Sequence, residues 1–181
     1  DYKGKKGPGK GKKVVLISGD EEYRSEEAMP ALADILSRHH GFDCRVVFAI
    51  DPKSGIVDPN NRINIPGLEA LADADLMFIA TRFRDLPEEQ MAHIDAYLKR
   101  GGPVIGMRTA THAFNIAGNK KYAHYSNGYN GPKKEWNGGF GKLILGDYWK
   151  SHHGGHKTES TVGLIAPGAE KHPTTRGVKN G

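Results

Sequence analysis

At 181 residues the chain is long enough for one domain with a substantial hydrophobic core, and 37% apolar with 26% charged residues places it outside the disordered class. No apolar run reaches the length of a membrane span, and the single Cys44 excludes an intramolecular disulfide. The net charge of +5 is no nucleic-acid signature: residues 1–13 hold six Lys and one Asp, and removing them from the 26 basic and 21 acidic residues leaves 20 of each. Residues 1–13 are therefore expected to be a flexible basic Gly/Lys leader, residues 14–181 a single domain, and no nucleic-acid partner is expected.

Lys13 to Ser18 is a continuous apolar strand of the kind buried on both faces in parallel sheets. Ser25 opens a helix with Glu26 and Glu27 in its first turn, where carboxylates meet the positive end of the helix dipole. Its apolar stripe is read as Ala28, Ala31, Leu32, Ile35 and Leu36, and Gly41 ends it. A strand over Cys44 to Phe48 follows, in which a lone Cys reads as a small core residue. Residues 51–66 are rich in Pro, Asn, Asp and Gly and form a long loop, a length that points to a functional or interface role.

A short helix near Leu68 to Leu71 leads to a strand over Asp75 to Ala80. Asp85 with Glu88 three positions on resembles a capping box for a helix that buries Met91, Ile94 and Leu98. Gly101-Gly102 then turns the chain into a buried strand over Pro103 to Met107. Past Phe114 the pattern gives way to polar, aromatic and Gly-rich sequence, with a further strand expected over Thr158 to Ala166. No closing helix follows, and the natural protein is expected to continue beyond residue 181. This alternation predicts an α/β fold: a flavodoxin-like parallel sheet, strand order 2-1-3-4, with helices on both faces.

In such sheets ligands bind outside the carboxyl ends of the strands, where strand order reverses. Three loops at that end are rich in charge and aromatics: Gly19 to Arg24, Thr81 to Asp85, and Arg108 to His112. Glu21 and Glu22 are expected to face Arg82 and Arg84, either as ion pairs tying loops together or as part of a site. Gly106-Met107-Arg108-Thr109-Ala110-Thr111-His112 has the strand–turn–helix pattern of a nucleophile elbow, with Arg108 where such enzymes place Ser or Cys.

A second cluster, His152-His153-Gly154-Gly155-His156, offers three imidazoles within five positions. A divalent metal such as zinc on His152, His153 and His156, proton transfer by one His, and backbone support are all open readings. Tyr122, Tyr125, Tyr129, Trp136, Phe140, Tyr148 and Trp149 either present faces to a sugar ring or pack a Gly-rich excursion. Gly138-Gly139-Phe140-Gly141 is a weak candidate phosphate cradle.

Taken together, the Gly19 to Glu27 stretch, the Gly106 to Phe114 stretch and the His152 to His156 cluster resemble the ThuA-like (trehalose utilisation) family, and most closely its exported branch in planctomycete-type bacteria. The resemblance covers nearly the whole chain after the leader. It implies a class I glutamine amidotransferase-like fold, a role in disaccharide or oxidised-sugar metabolism, and export to the periplasm or beyond. Where true amidotransferases carry a catalytic Cys this chain has Arg108, so thiolate glutaminase chemistry is not expected. The expected function is action on a small carbohydrate ligand. Arg108, His112, Glu22 and His153 are the candidate catalytic residues; Asp20, Tyr23, Arg24, Arg82, Trp136 and Tyr148 are the candidate substrate contacts. A non-catalytic carbohydrate-binding or scaffold module and a His-based metal-dependent hydrolase are the alternatives.

Overall fold

Four short strands form one parallel sheet in the computed structural model, which describes residues 1–155 and 157–180. They are β1 (Lys13–Gly19), β2 (Asp43–Phe48), β3 (Leu76–Thr81) and β4 (Val104–Gly106), in the spatial order β2-β1-β3-β4. Leu16 stands opposite Val46 on one side and Phe78 on the other, and Ile79 opposite Gly106. The order reverses between β1 and β3, so the loops leaving these strands are neighbours, as the flavodoxin-like reading requires.

Burial of β1 on both faces explains its unbroken apolar sequence. Val15 and Ile17 pack with Met77, Ile79 and helix α2 (Glu88–Lys99), whereas Val14 and Leu16 pack with Met29 and Ala33 of helix α1 (Ser25–His40). Helices therefore cover both faces. Helix α1 buries Ser25, Met29, Ala33 and Ser37, a strict i, i+4 row; Ala31 and Ile35 of the expected stripe face solvent. Gly41 closes it at φ 80°, donating to the carbonyl of Ser37, a left-handed cap that glycine adopts without a Cβ clash.

Several local expectations are corrected. Helix α2 starts after Pro87 with no side-chain cap; Asp85 instead pairs with Lys120 at 2.7 Å, and Glu88 accepts from the Lys121 amide. Strand β4 is a three-residue edge strand, paired among the described residues with β3 alone, and its Ile105 is 46% exposed. Thr158 to Ala166 forms no strand and is largely solvent-exposed; β-like sequence stays irregular without a ladder partner. The Gly138–Gly141 run is packed structure. A Cβ at Gly139 would stand 1.9 Å from the Ser126 carbonyl oxygen and one at Gly141 2.0 Å from that of Thr111, so these glycines seat helix α3 (Gly139–Leu145) against neighbouring backbone.

The basic leader makes specific contacts. Tyr2 pairs with Cys44 through two backbone hydrogen bonds of 2.7 and 2.9 Å, and Asp1 takes a bidentate pair from Arg45. The Gly9 amide donates to His40. Residues 1–12 thus run beside β2, where an unpaired strand edge accepts backbone partners. The sequence reading drew one domain over residues 14–181; the contacts divide the chain into two units, Asp1–Trp149 and the remainder from Lys150. Among the described residues no helix is long and apolar enough to cross a membrane.

Gly139→Ala is expected to destabilise the fold by about 3 kcal/mol, because it combines a left-handed φ of 76° with the carbonyl clash. Gly118→Ala, which meets nothing within 4 Å, is expected to change stability by less than about 0.5 kcal/mol. Urea unfolding midpoints compare the two.

Candidate functional site at the carboxyl ends of the strands

The three charged loops meet. Arg84 leaves β3 into the interior, where its side chain is 0% exposed. Its guanidinium donates to Glu21 and to the carbonyls of Arg82 (2.6 Å), Pro59 (3.0 Å) and Asn61 (2.7 Å). Four acceptors satisfy a fully desolvated cation and join the β1 loop, the β3 loop and the long 51–66 loop. Arg82 also reaches Glu21 at 2.6 Å, and its Nε lies 3.1 Å from Glu22 without hydrogen-bond alignment. Burial disfavours ionisation of Glu21. Its own backbone amide, Arg84 and Arg82 outweigh that and hold its carboxyl below the usual range. Glu21 and Glu22 thus face Arg82 and Arg84 as expected, and the contacts are loop-tying ion pairs.

A second tie runs from Asp20 to the elbow. Asp20 is buried; its Oδ1 accepts from the amides of Glu22 (2.8 Å) and Tyr23 (3.3 Å), and its Oδ2 accepts from the Thr109 hydroxyl. Ser25 reinforces the turn, its Oγ accepting from the Asp20 amide at 2.8 Å. Asp20, a candidate substrate contact by sequence, therefore serves as the strut between the β1 loop and the residue after Arg108.

The strut places Arg108 over Tyr23, the guanidinium carbon 3.9 Å from the ring centroid, a close cation–π contact. Arg108 is exposed and has φ 51°. Within residues 1–149 the other non-glycine residues with positive φ are Arg24 (52°) and Phe83 (49°), so each of the three loops holds one. Such conformations are costly for residues with a Cβ and persist only where the surroundings enforce them. Of the strand–turn–helix pattern expected at 106–112 after a strand over Pro103 to Met107, the strand is shorter, Val104–Gly106, and a 3-10 turn over Arg108–His112 stands in place of the helix.

The β3 and β4 loops also form an aromatic cluster with Trp149. His112 is buried, its ring 4.8 Å from Phe83 and 5.2 Å from Trp149, and Arg82 stacks on Phe83 at 4.9 Å. The Phe83 amide donates to the His112 carbonyl, and Asn127 holds the Trp149 carbonyl at 3.0 Å. Tyr23, Phe83, Arg108 and His112 thus all lie on the loops that leave β1, β3 and β4, and Trp149, which follows α3, packs against Phe83 and His112.

Other candidates sit elsewhere. Arg24 is exposed and paired with Glu27. Trp136 packs on Tyr125 (4.4 Å) and His124 (4.6 Å) in a separate aromatic cluster. Tyr148 rests against Gly138. His152 and His153 are exposed in the second unit, where Glu159 accepts from the Gly155 amide at 2.7 Å; His156 lies outside the described residues. Among the described residues no group of three or more His, Cys, Asp or Glu is gathered as a metal site.

Sequence reasoning placed Thr109 and Phe83 on the ligand-edge loops and Trp149 among the candidate sugar-facing aromatics without assigning any of them a role, and it missed the interior position of Arg84. Residues two apart in an extended segment share a face, so Arg82 and Arg84 would point alike; Phe83 between them, at φ 49°, breaks that period, and Arg84 alone is fully buried. No protein-family model, curated protein or solved structure matches the chain.

Glu21→Gln is expected to cost about 3 kcal/mol at neutral pH, because it strands the Arg84 charge in the interior. The depressed Glu21 pKa contributes stability above the ordinary value of 4.5, and this contribution is lost as pH falls through the lower folded value. The gap between wild type and variant should therefore close on acidification below 4.5, as read by urea unfolding at a series of pH values.

Proposed function

We propose that this chain is a ThuA-like protein that acts on a small carbohydrate, a disaccharide or an oxidised sugar, at the Arg108 loop cluster. The observation that carries the reading is Arg108 itself: a long cation held in a left-handed conformation at the end of β4 and stacked on Tyr23. Strain of this kind needs enforcement, which the Asp20–Thr109 strut supplies. A guanidinium presents fixed donors to a carbonyl or carboxylate oxygen, and aromatic faces suit the C–H side of a sugar ring.

In this reading Arg108 binds the oxygen on which charge develops, Tyr23 steadies the guanidinium, and Trp149 with Phe83 flanks the sugar. His112 is the group placed to exchange a proton. Glu22, engaged with Arg82, orients the β1 loop. Thiolate chemistry has no support: Cys44 is buried in β2, and burial together with Asp43 pushes its thiol up to about 11. Export from the cytoplasm is part of the same proposal and rests on the resemblance alone.

One observation favours a binding module that performs no reaction. The carboxylates nearest Arg108 along the β1 loop, Asp20, Glu21 and Glu22, are all engaged by neighbouring groups. Disaccharides and keto-sugars should be assayed for turnover and, in parallel, for binding by calorimetry. Arg108→Ala is expected to lower kcat/KM by about 100-fold or more. Binding abolished by Arg108→Ala without wild-type turnover would select the binding module; equal behaviour of both proteins would remove Arg108 from the site.

A further inference from the structure

A groove of about 510 Å³ opens between residues 115–118 and 129–133, on the segment that follows the elbow. Lys120, Lys121, Lys133 and His124 line it, and no Asp or Glu does. Lys120 is neutralised by Asp85 at 2.7 Å. Among the described residues neither Lys121 nor Lys133 forms an ion pair. Lys121 lies over the Tyr122 ring at 5.2 Å, and Lys133 meets the ring of His124, its Nζ 3.3 Å from Nδ1.

An ammonium has donors only, so a charged Lys133 can only donate to Nδ1, a contact that requires that nitrogen to be unprotonated. His124 is 6% exposed, wedged among Tyr122, Tyr125, Tyr129 and Trp136. A buried, rigid acceptor therefore aims the Lys133 ammonium, whose other donors remain for a ligand. Like charges lining one concave surface repel unless an anion offsets them.

We infer that this groove is a second site, which binds a small phosphoryl anion, inorganic phosphate or a phosphate monoester, through Lys133 and Lys121 with His124 as the positioning residue. It is independent of the carbohydrate reading and uses none of the residues of the Arg108 cluster. Burial and then the Lys133 charge lower the His124 pKa from its ordinary value, against the opposing influence of Asp95, the Lys121 backbone and Glu135. A bound dianion adds negative charge near that ring and raises the pKa.

Inorganic phosphate and glucose 6-phosphate should be titrated in separate arms, at constant ionic strength set with chloride, while the His124 ring resonance is followed by NMR. Saturable shifts with a raised His124 pKa are expected. Equal affinities assign recognition to the phosphoryl group; tighter binding of the ester adds contacts to the sugar. Lys133→Ala, at an exposed position, should keep the fold and weaken binding about tenfold or more. Absence of saturation, an equal shift from chloride, or unchanged affinity in Lys133→Ala would overturn the inference.

Discussion

A buried guanidinium sets the terms for this structure. Arg84 is withdrawn from water entirely, and a cation in that position is tolerable only with its hydrogen bonds complete. Glu21 and three carbonyls complete them, and these acceptors come from segments far apart in sequence. The β1 loop, the β3 loop and the 51–66 loop therefore all meet at one side chain. Folding bears the desolvation cost at this point, and the return is positional definition where the sheet order reverses.

That definition lets a strained elbow exist without a nucleophile. Arg24, Phe83 and Arg108 each occupy a left-handed backbone conformation, one per loop. Asp20 connects the first of these loops to Thr109, next to Arg108, so Tyr23 is delivered beneath the guanidinium. At the turn after β4 the chain presents a long, permanently charged fork. A guanidinium so placed has fixed donors for oxygen, the basis of the proposed function, and the buried His112 imidazole packs against Phe83 and Trp149.

Much of this was legible in the residues. Continuous apolar strands separated by amphipathic helices specify a parallel sheet, and the charges of residues 20–24, 82–84 and 108 fall on the loops at one sheet edge because strand direction is uniform. The elbow pattern was readable from small residues around Arg108. What was not legible depends on neighbours. Strand β4 and residues 158–166 have similar β-like sequence, yet one pairs with β3 and the other has no ladder partner. The Gly138–Gly141 run could signal either a ligand or a close backbone approach, and only the positions of Ser126 and Thr111 decide. Leader residues 1–12 look solvated by composition, but an open β2 edge gives Tyr2 a backbone partner. Asp85 fits a cap by spacing and is drawn instead to Lys120, a residue 35 positions away.

The central claim is that the buried Arg84–Glu21 staple fixes the β1 loop from which the Asp20–Thr109 strut sets Tyr23 beneath Arg108. A crystal structure of the double variant Arg84→Met with Glu21→Gln, which removes both charges and keeps side-chain volume, tests this most directly. The account predicts the same β2-β1-β3-β4 sheet with the β1 loop displaced and Tyr23 no longer under the guanidinium. A Tyr23–Arg108 stack unchanged at 3.9 Å in that variant would contradict it.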